Sequence, residues 1–92
     1  MKLASLFYLG IQMWLVYILY SEKIDNYYTG ITDDMNWHLQ RHNKGWGKYT
    51  KRGIPWKLVY IEEYETKSSA LKREREIKRK KSRKYIEWLI NK

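Results

Sequence analysis

Ninety-two residues can bury one small core and no more, so a two-domain chain is excluded. Hydrophobic residues make up 43% and charged residues 32%, too apolar for a disordered chain and too charged for a polytopic membrane protein. Cysteine is absent, which excludes disulfide frameworks, thiolate zinc sites, iron–sulfur clusters and cysteine nucleophiles, and favours a reduced, cytoplasmic setting.

The net charge of +9 is unevenly spread. Residues 1–66 hold 8 basic and 7 acidic side chains, whereas residues 67–92 hold 11 basic and 3 acidic. A one-sided cationic field suits a polyanion, either nucleic acid or an anionic membrane surface. The plainer alternative is a basic helix that keeps the protein soluble.

From the amino end, Leu3 to Tyr20 runs 18 residues without a charge, the length of a membrane span. Ser5, Gly10 and Gln12 interrupt it, and Trp14, Tyr17 and Tyr20 prefer an interface to hydrocarbon. Lys2 is the only basic residue of a would-be signal sequence, and no small-x-small site follows. A membrane anchor is therefore not expected. Met13 offers an alternative start, which makes residues 1–12 an appended apolar extension and residues 13–92 the domain proper.

Trp14 to Tyr20 is rich in aromatic and branched residues and reads as a strand buried on both faces. Asp25-Asn26 are turn formers, and Tyr27 to Thr32 returns as a second strand, so the two form a hairpin. Thr32-Asp33-Asp34 supplies cap chemistry for a helix from about Met35 to His42, with Met35, His38, Leu39 and His42 on one face, and Asn43-Lys44-Gly45 ends it. A basic loop from Trp46 to Trp56 precedes a third strand, Lys57 to Glu62. Thr66 caps a helix through Ala70, Leu71, Glu74 and Ile77, and Ser82 a last one carrying Ile86, Leu89 and Ile90. The order β-β-α-β-α-α points to an α+β domain with an antiparallel sheet.

Tyr17 in Leu15-Val16-Tyr17, separated by ten residues from Tyr28-Thr29-Gly30 and followed by Thr32, Asp34, Leu39 and His42-Asn43, resembles the paired signature of the GIY-YIG nuclease superfamily. Lys48-Tyr49-Thr50, Pro55-Trp56-Lys57-Leu58-Val59-Tyr60 and Ala70-Leu71-Lys72-Arg73-Glu74 are similar to its small stand-alone bacterial branch. The resemblance spans about Met13 to Ile90. It implies a small three-stranded antiparallel sheet flanked by helices and a single-metal endonuclease acting on DNA, with branched, nicked or damaged forms as candidate substrates. Tyr17 and Tyr28 correspond to the signature tyrosines and Gly30 to the signature glycine. His38 stands where the family usually has its catalytic arginine, His42 matches a histidine frequent in the same helix, and Glu74 matches the metal-binding glutamate, for Mg²⁺ or Mn²⁺. The two tyrosines are expected on adjacent antiparallel strands with their hydroxyls converging on Glu74. No small-molecule cofactor is implied.

Other uses of the same residues remain open. Tyr17 and Tyr28 also suit a sheet as plain aromatics, and Glu74, four residues before Lys78, also suits a surface ion pair. Gly30 also fits a close backbone approach, and two histidines alone are a weak metal signal. A guanidinium is permanently charged and grips phosphate with two parallel bonds, whereas an imidazole offers one donor at a time. His38 thus raises a second reading, a degenerate member that only binds nucleic acid. Candidate phosphate contacts in either case are Arg41, the loop residues Lys48, Lys51 and Arg52, and the carboxyl-terminal Lys72, Arg73, Arg75, Lys78, Arg79, Lys80, Lys81, Arg83 and Lys84. A third reading, from another class, is a membrane-surface protein that uses residues 1–12 with the basic tail.

Overall fold

In the computed structural model, which describes residues 12–92, the apolar run resolves into a strand, β1, at Trp14–Ser21. Most of the segment expected as an amino-terminal extension, residues 1–11, lies outside the described residues. β1 is the middle strand of the sheet, which explains a sequence apolar at successive positions: Leu15 to Leu19 are all buried. β2, Asn26–Thr32, and β3, Trp56–Tyr64, pair antiparallel on either side of it. The hairpin between β1 and β2 turns at Asp25, in the left-handed region at φ 48°, where its carboxylate accepts from Tyr20 Oη at 2.6 Å and Arg83 at 2.7 Å.

Three helices complete the expected α+β order. The first, α1, runs over Met35–Asn43 and is capped by Asp34, whose carboxylate accepts from the Trp37 N–H at 3.1 Å. The next, α2, covers Lys67–Lys80 behind Thr66, and the last, α3, covers Arg83–Asn91 behind Ser82; both residues cap as their sequence positions suggest. Lys81 takes a left-handed conformation between them, which ends α2 and redirects the chain. Two features depart from the sequence reading. The third strand is longer at both ends, because the ladder with β1 continues from Trp14 opposite Tyr64 to Ser21 opposite Trp56. The loop after Trp46 contains a 3₁₀ turn at Thr50–Gly53.

Alternation along β1 divides the core. Val16 and Ile18 face Ala70, Ile77 and Leu89 of α2 and α3, while Tyr17 and Leu19 face Trp56, Met35 and Leu39 on the side of α1. Among the described residues, no helix is long and apolar enough to cross a membrane.

Side-chain tethers fix both helices near the site. Asn43, at the end of α1, accepts from the Trp56 N–H at 2.6 Å and donates to the Trp56 carbonyl at 3.1 Å, so it clips the helix to the start of β3. On the other face the Glu62 carboxylate receives Arg73 of α2 through two bonds of 2.9 and 3.1 Å, and the Tyr60 and Tyr64 hydroxyls as well. Replacing Asn43 with Ala leaves a half-buried backbone N–H and carbonyl without partners. It should cost about 1–3 kcal/mol in a urea titration; an unchanged midpoint would show that water replaces the clip at no loss.

Candidate active site

The register of β1 against β2 builds the site. Tyr17 pairs with Gly30 and Leu19 with Tyr28, so the two tyrosines project from the same face of neighbouring strands, with ring centres 6.4 Å apart. A Cβ on Gly30 would lie 2.6 Å from the Tyr17 hydroxyl oxygen, so the phenol lies directly over the glycine. Glycine is required here by contact rather than by backbone torsion. Tyr17 is only 2% exposed, and its oxygen reaches the open edge of β2 because nothing stands on the strand at that point.

α1 delivers two histidines to that edge. His42 Nε2 lies 3.1 Å from Tyr17 Oη, and its Nδ1 lies 2.9 Å from Thr50 Oγ1. The Thr50 hydroxyl donates to the Gly47 carbonyl at 3.4 Å, which leaves it to accept from a protonated Nδ1. Nε2 is then bare and accepts from the Tyr17 hydroxyl. One turn earlier, His38 Nδ1 lies 2.6 Å from Thr32 Oγ1, which donates to the Asp34 carbonyl at 3.1 Å. The same reasoning puts the His38 proton on Nδ1 and leaves Nε2 a donor only in the imidazolium form.

Glu74 arrives from α2. That helix packs on the opposite face of the sheet from Tyr17 and Tyr28, yet Glu74 lines the cavity that both tyrosines line. The carboxylate shares one cavity with Tyr17, Tyr28, His38, His42 and Arg41. Its side chain is 15% exposed and forms an ion pair with Lys78 at 3.3 Å.

The electrostatics oppose one another. Burial, then the charges of Tyr28 and Glu74, push the Tyr17 phenol well above its ordinary range and hold it protonated. Burial, followed by His38 and Arg41, pulls the His42 imidazole below its ordinary value and holds it neutral. Among the described residues, no group of three metal-ligating side chains forms a closed site. A single carboxylate beside an open cavity instead suits a hard divalent ion that keeps most of its waters.

The family model for the GIY-YIG catalytic domain matches residues 13–86. The chain belongs to the GIY-YIG family. A UPF0213 protein of Bacillus halodurans, solved in solution by NMR, shares the fold with a TM-score of 0.55 and 34% identity over 86% of this chain and 83% of that one. UPF0213 proteins of Staphylococcus aureus strains Mu3 and Mu50 are each 60% identical over 52 residues, 55% of this chain and 63% of theirs. The alignment thus covers less than two thirds of those relatives' length.

Tyr17, Tyr28, Gly30, His38, His42 and Glu74, the expected site residues, all line this one cavity. The basic residues are dispersed. Arg41 lines the cavity, and Lys78, Lys81 and Arg83 line a neighbouring one that shares Tyr28. Arg73 turns away into the Glu62 clamp, and Arg83 also pairs with Asp25 and Glu87. Lys72, Arg75, Arg79, Lys80 and Lys84 are exposed on α2 and α3, and Lys48, Lys51 and Arg52 on the loop.

Three participants are not among the site residues expected from the sequence. Thr50 and Thr32 orient the two histidines, and Trp46 lines the cavity wall. No local pattern marks a threonine eight residues from the imidazole it orients. Because His42 binds protons less readily folded than unfolded, the fold should lose stability as pH falls from the ordinary imidazole value toward the lower folded one, and level off below it. His42→Gln should abolish that fraction of the loss in denaturation measured at several pH values; an identical pH profile would count against a buried neutral imidazole.

Proposed function

We propose that this protein is a metal-dependent endonuclease that hydrolyses DNA phosphodiester bonds in the cytoplasm, with branched, nicked or damaged DNA as candidate substrates. The observation that carries the reading is the buried line from Tyr17 through His42 to Thr50, opening into the cavity that Glu74 also lines. Glu74 would hold one Mg²⁺ or Mn²⁺. Such an ion supplies a Lewis acid for a phosphate oxygen and offsets the Glu74 charge, one of the three influences that keep the Tyr17 proton in place.

The chain's own residues then handle the proton. As water attacks in line, its oxygen bonds to phosphorus and the opposite P–O bond breaks. The water proton passes to the Tyr17 oxygen while the phenolic proton moves to His42 Nε2, the bare nitrogen that already accepts it. The leaving oxygen takes a proton from solvent. His38 and Arg41, which line the cavity, face the charge that develops on the phosphate.

The binding-only reading draws support from His38. With Nδ1 committed to Thr32, one ring nitrogen remains for phosphate, a weaker grip than a guanidinium fork. Incubation with Mg²⁺ or Mn²⁺ and labelled DNA of several structures separates the two. The nuclease reading expects cleavage that Glu74→Ala abolishes while the far-ultraviolet spectrum stays native. Binding that weakens steeply with salt, by a slope of about −0.9 per phosphate contacted, but without cleavage would leave the binding-only reading standing.

A finer prediction concerns position 38. His38→Arg should raise the single-turnover rate by about ten- to a hundredfold, because a guanidinium is permanently charged and grips phosphate with two bonds. Equal rates for both proteins would mean that Arg41 already serves as the cation or that residue 38 lies away from the scissile phosphate.

A further inference from the structure

Three tryptophans are exposed, and two of them, Trp37 and Trp46, stand together against Arg41 of the cavity lining. Trp37 is 47% and Trp46 61% exposed, although the chain has buried positions that would hide an indole, as it does for Trp56 at 2%. An exposed aromatic of this size, standing beside a functional cavity, calls for a partner. Both indoles lie against one guanidinium: the Arg41 carbon is 4.4 Å from the Trp37 ring centre and 5.0 Å from that of Trp46.

Backbone geometry holds this stack together. Trp37 and Arg41 are one turn apart on α1 and meet as any i, i+4 pair does. Trp46 is brought back to them by the chain reversal at Gly45, whose φ of 79° is left-handed, and by its own N–H, which donates to the Arg41 carbonyl at 3.1 Å. Clamping Arg41 needs only Trp37. The second indole is the more exposed of the two, and it lines the same cavity as Tyr17 and Glu74.

A guanidinium layered against indoles has its faces covered and its in-plane N–H groups free. Among the described residues Arg41 enters none of the ion pairs. We propose that Trp37, Arg41 and Trp46 form a nucleotide-recognition site on the rim of the cavity. The exposed face of Trp46 stacks on an unpaired nucleobase, and the edge of Arg41 holds the phosphate attached to it. Inside a duplex each base already has both faces covered, so this site takes a nucleotide that has left the stack. Stacking accepts any of the bases, so the site reads the presence of a free base and not its identity.

This inference rests on the reading of the cavity as a nucleic-acid site and adds to it a requirement for an unstacked base. The test uses the full chain before any divalent ion is added, with two labelled probes of equal length. One is an oligothymidylate, and the other is the same phosphodiester backbone with abasic sugars. Wild-type protein should bind the base-bearing strand about tenfold more tightly, the usual scale of one stacked base. Trp46→Ala should lose that preference while keeping the affinity for the abasic strand, and Trp46→Tyr, which restores a flat ring, should recover most of it. Arg41→Lys should weaken both probes, because each carries the phosphate. Retention of the full preference in Trp46→Ala, or equal binding of both probes by wild type, overturns the stacking site alone and leaves the nuclease reading to its cleavage assay. Failure of wild type to bind either probe overturns the stacking site as well, and the nuclease reading still stands or falls on its cleavage assay.

Discussion

The phenol of Tyr17 lies across a strand position that has no side chain, and the rest of the site depends on that contact. Any larger residue at position 30 would place a carbon 2.6 Å from the hydroxyl oxygen. With glycine there, a side chain rooted in the central strand spans its neighbour and delivers a polar atom to the sheet edge. The ladder has to be in register for this to occur. A slip of one residue would set Thr29 or Ile31 opposite Tyr17 and turn the wrong faces together.

That edge is where two helices from opposite faces come within reach of one another. α1 contributes His38 and His42 from the tyrosine side, and α2 contributes Glu74 from the other. Neither helix owes its position to the cavity. Asn43 ties α1 to the start of β3, and the Arg73–Glu62 clamp ties α2 further along the same strand. Burial works against the Glu62 charge, but the bonds from Arg73, Tyr60 and Tyr64 outweigh it and hold the carboxyl below its ordinary range. Successive residues on a helix point about 100° apart, so committing Arg73 to the clamp turns Glu74 toward the cavity. No buried side-chain polar atom of the described residues lacks a hydrogen-bond partner, which keeps this arrangement of polar groups inexpensive.

The resting site is electrostatically quiet where it is most buried. Tyr17 is held as a phenol and His42 as a neutral imidazole, and burial is the leading cause for each. The formal charges are those of Glu74, paired with Lys78, and of Arg41, both of which line the cavity. The Tyr17–His42 hydrogen bond therefore joins two uncharged groups in the resting protein.

Much of this was legible in the chain itself. Hydrophobic period, turn formers and cap residues determine the β-β-α-β-α-α order, because they act over a few neighbouring residues. The spacing of the two signature tyrosines, with Gly30, His42 and Glu74, carried the family membership. The sequence by itself also located the positive charge in the last quarter of the chain. Only the tertiary structure decided which of those cations reach the site: Arg73, in the midst of the basic run, is spent on Glu62, while Arg41, far outside it, lines the cavity. It also decided the placement of Thr50 and Trp46, and that Glu74 lines the tyrosines' cavity from a helix packed on the other face of the sheet. These outcomes depend on the sheet register and on a left-handed turn at Gly45, which bring together residues from separate segments. The interactions responsible run between those segments, so no local pattern in the chain encodes them.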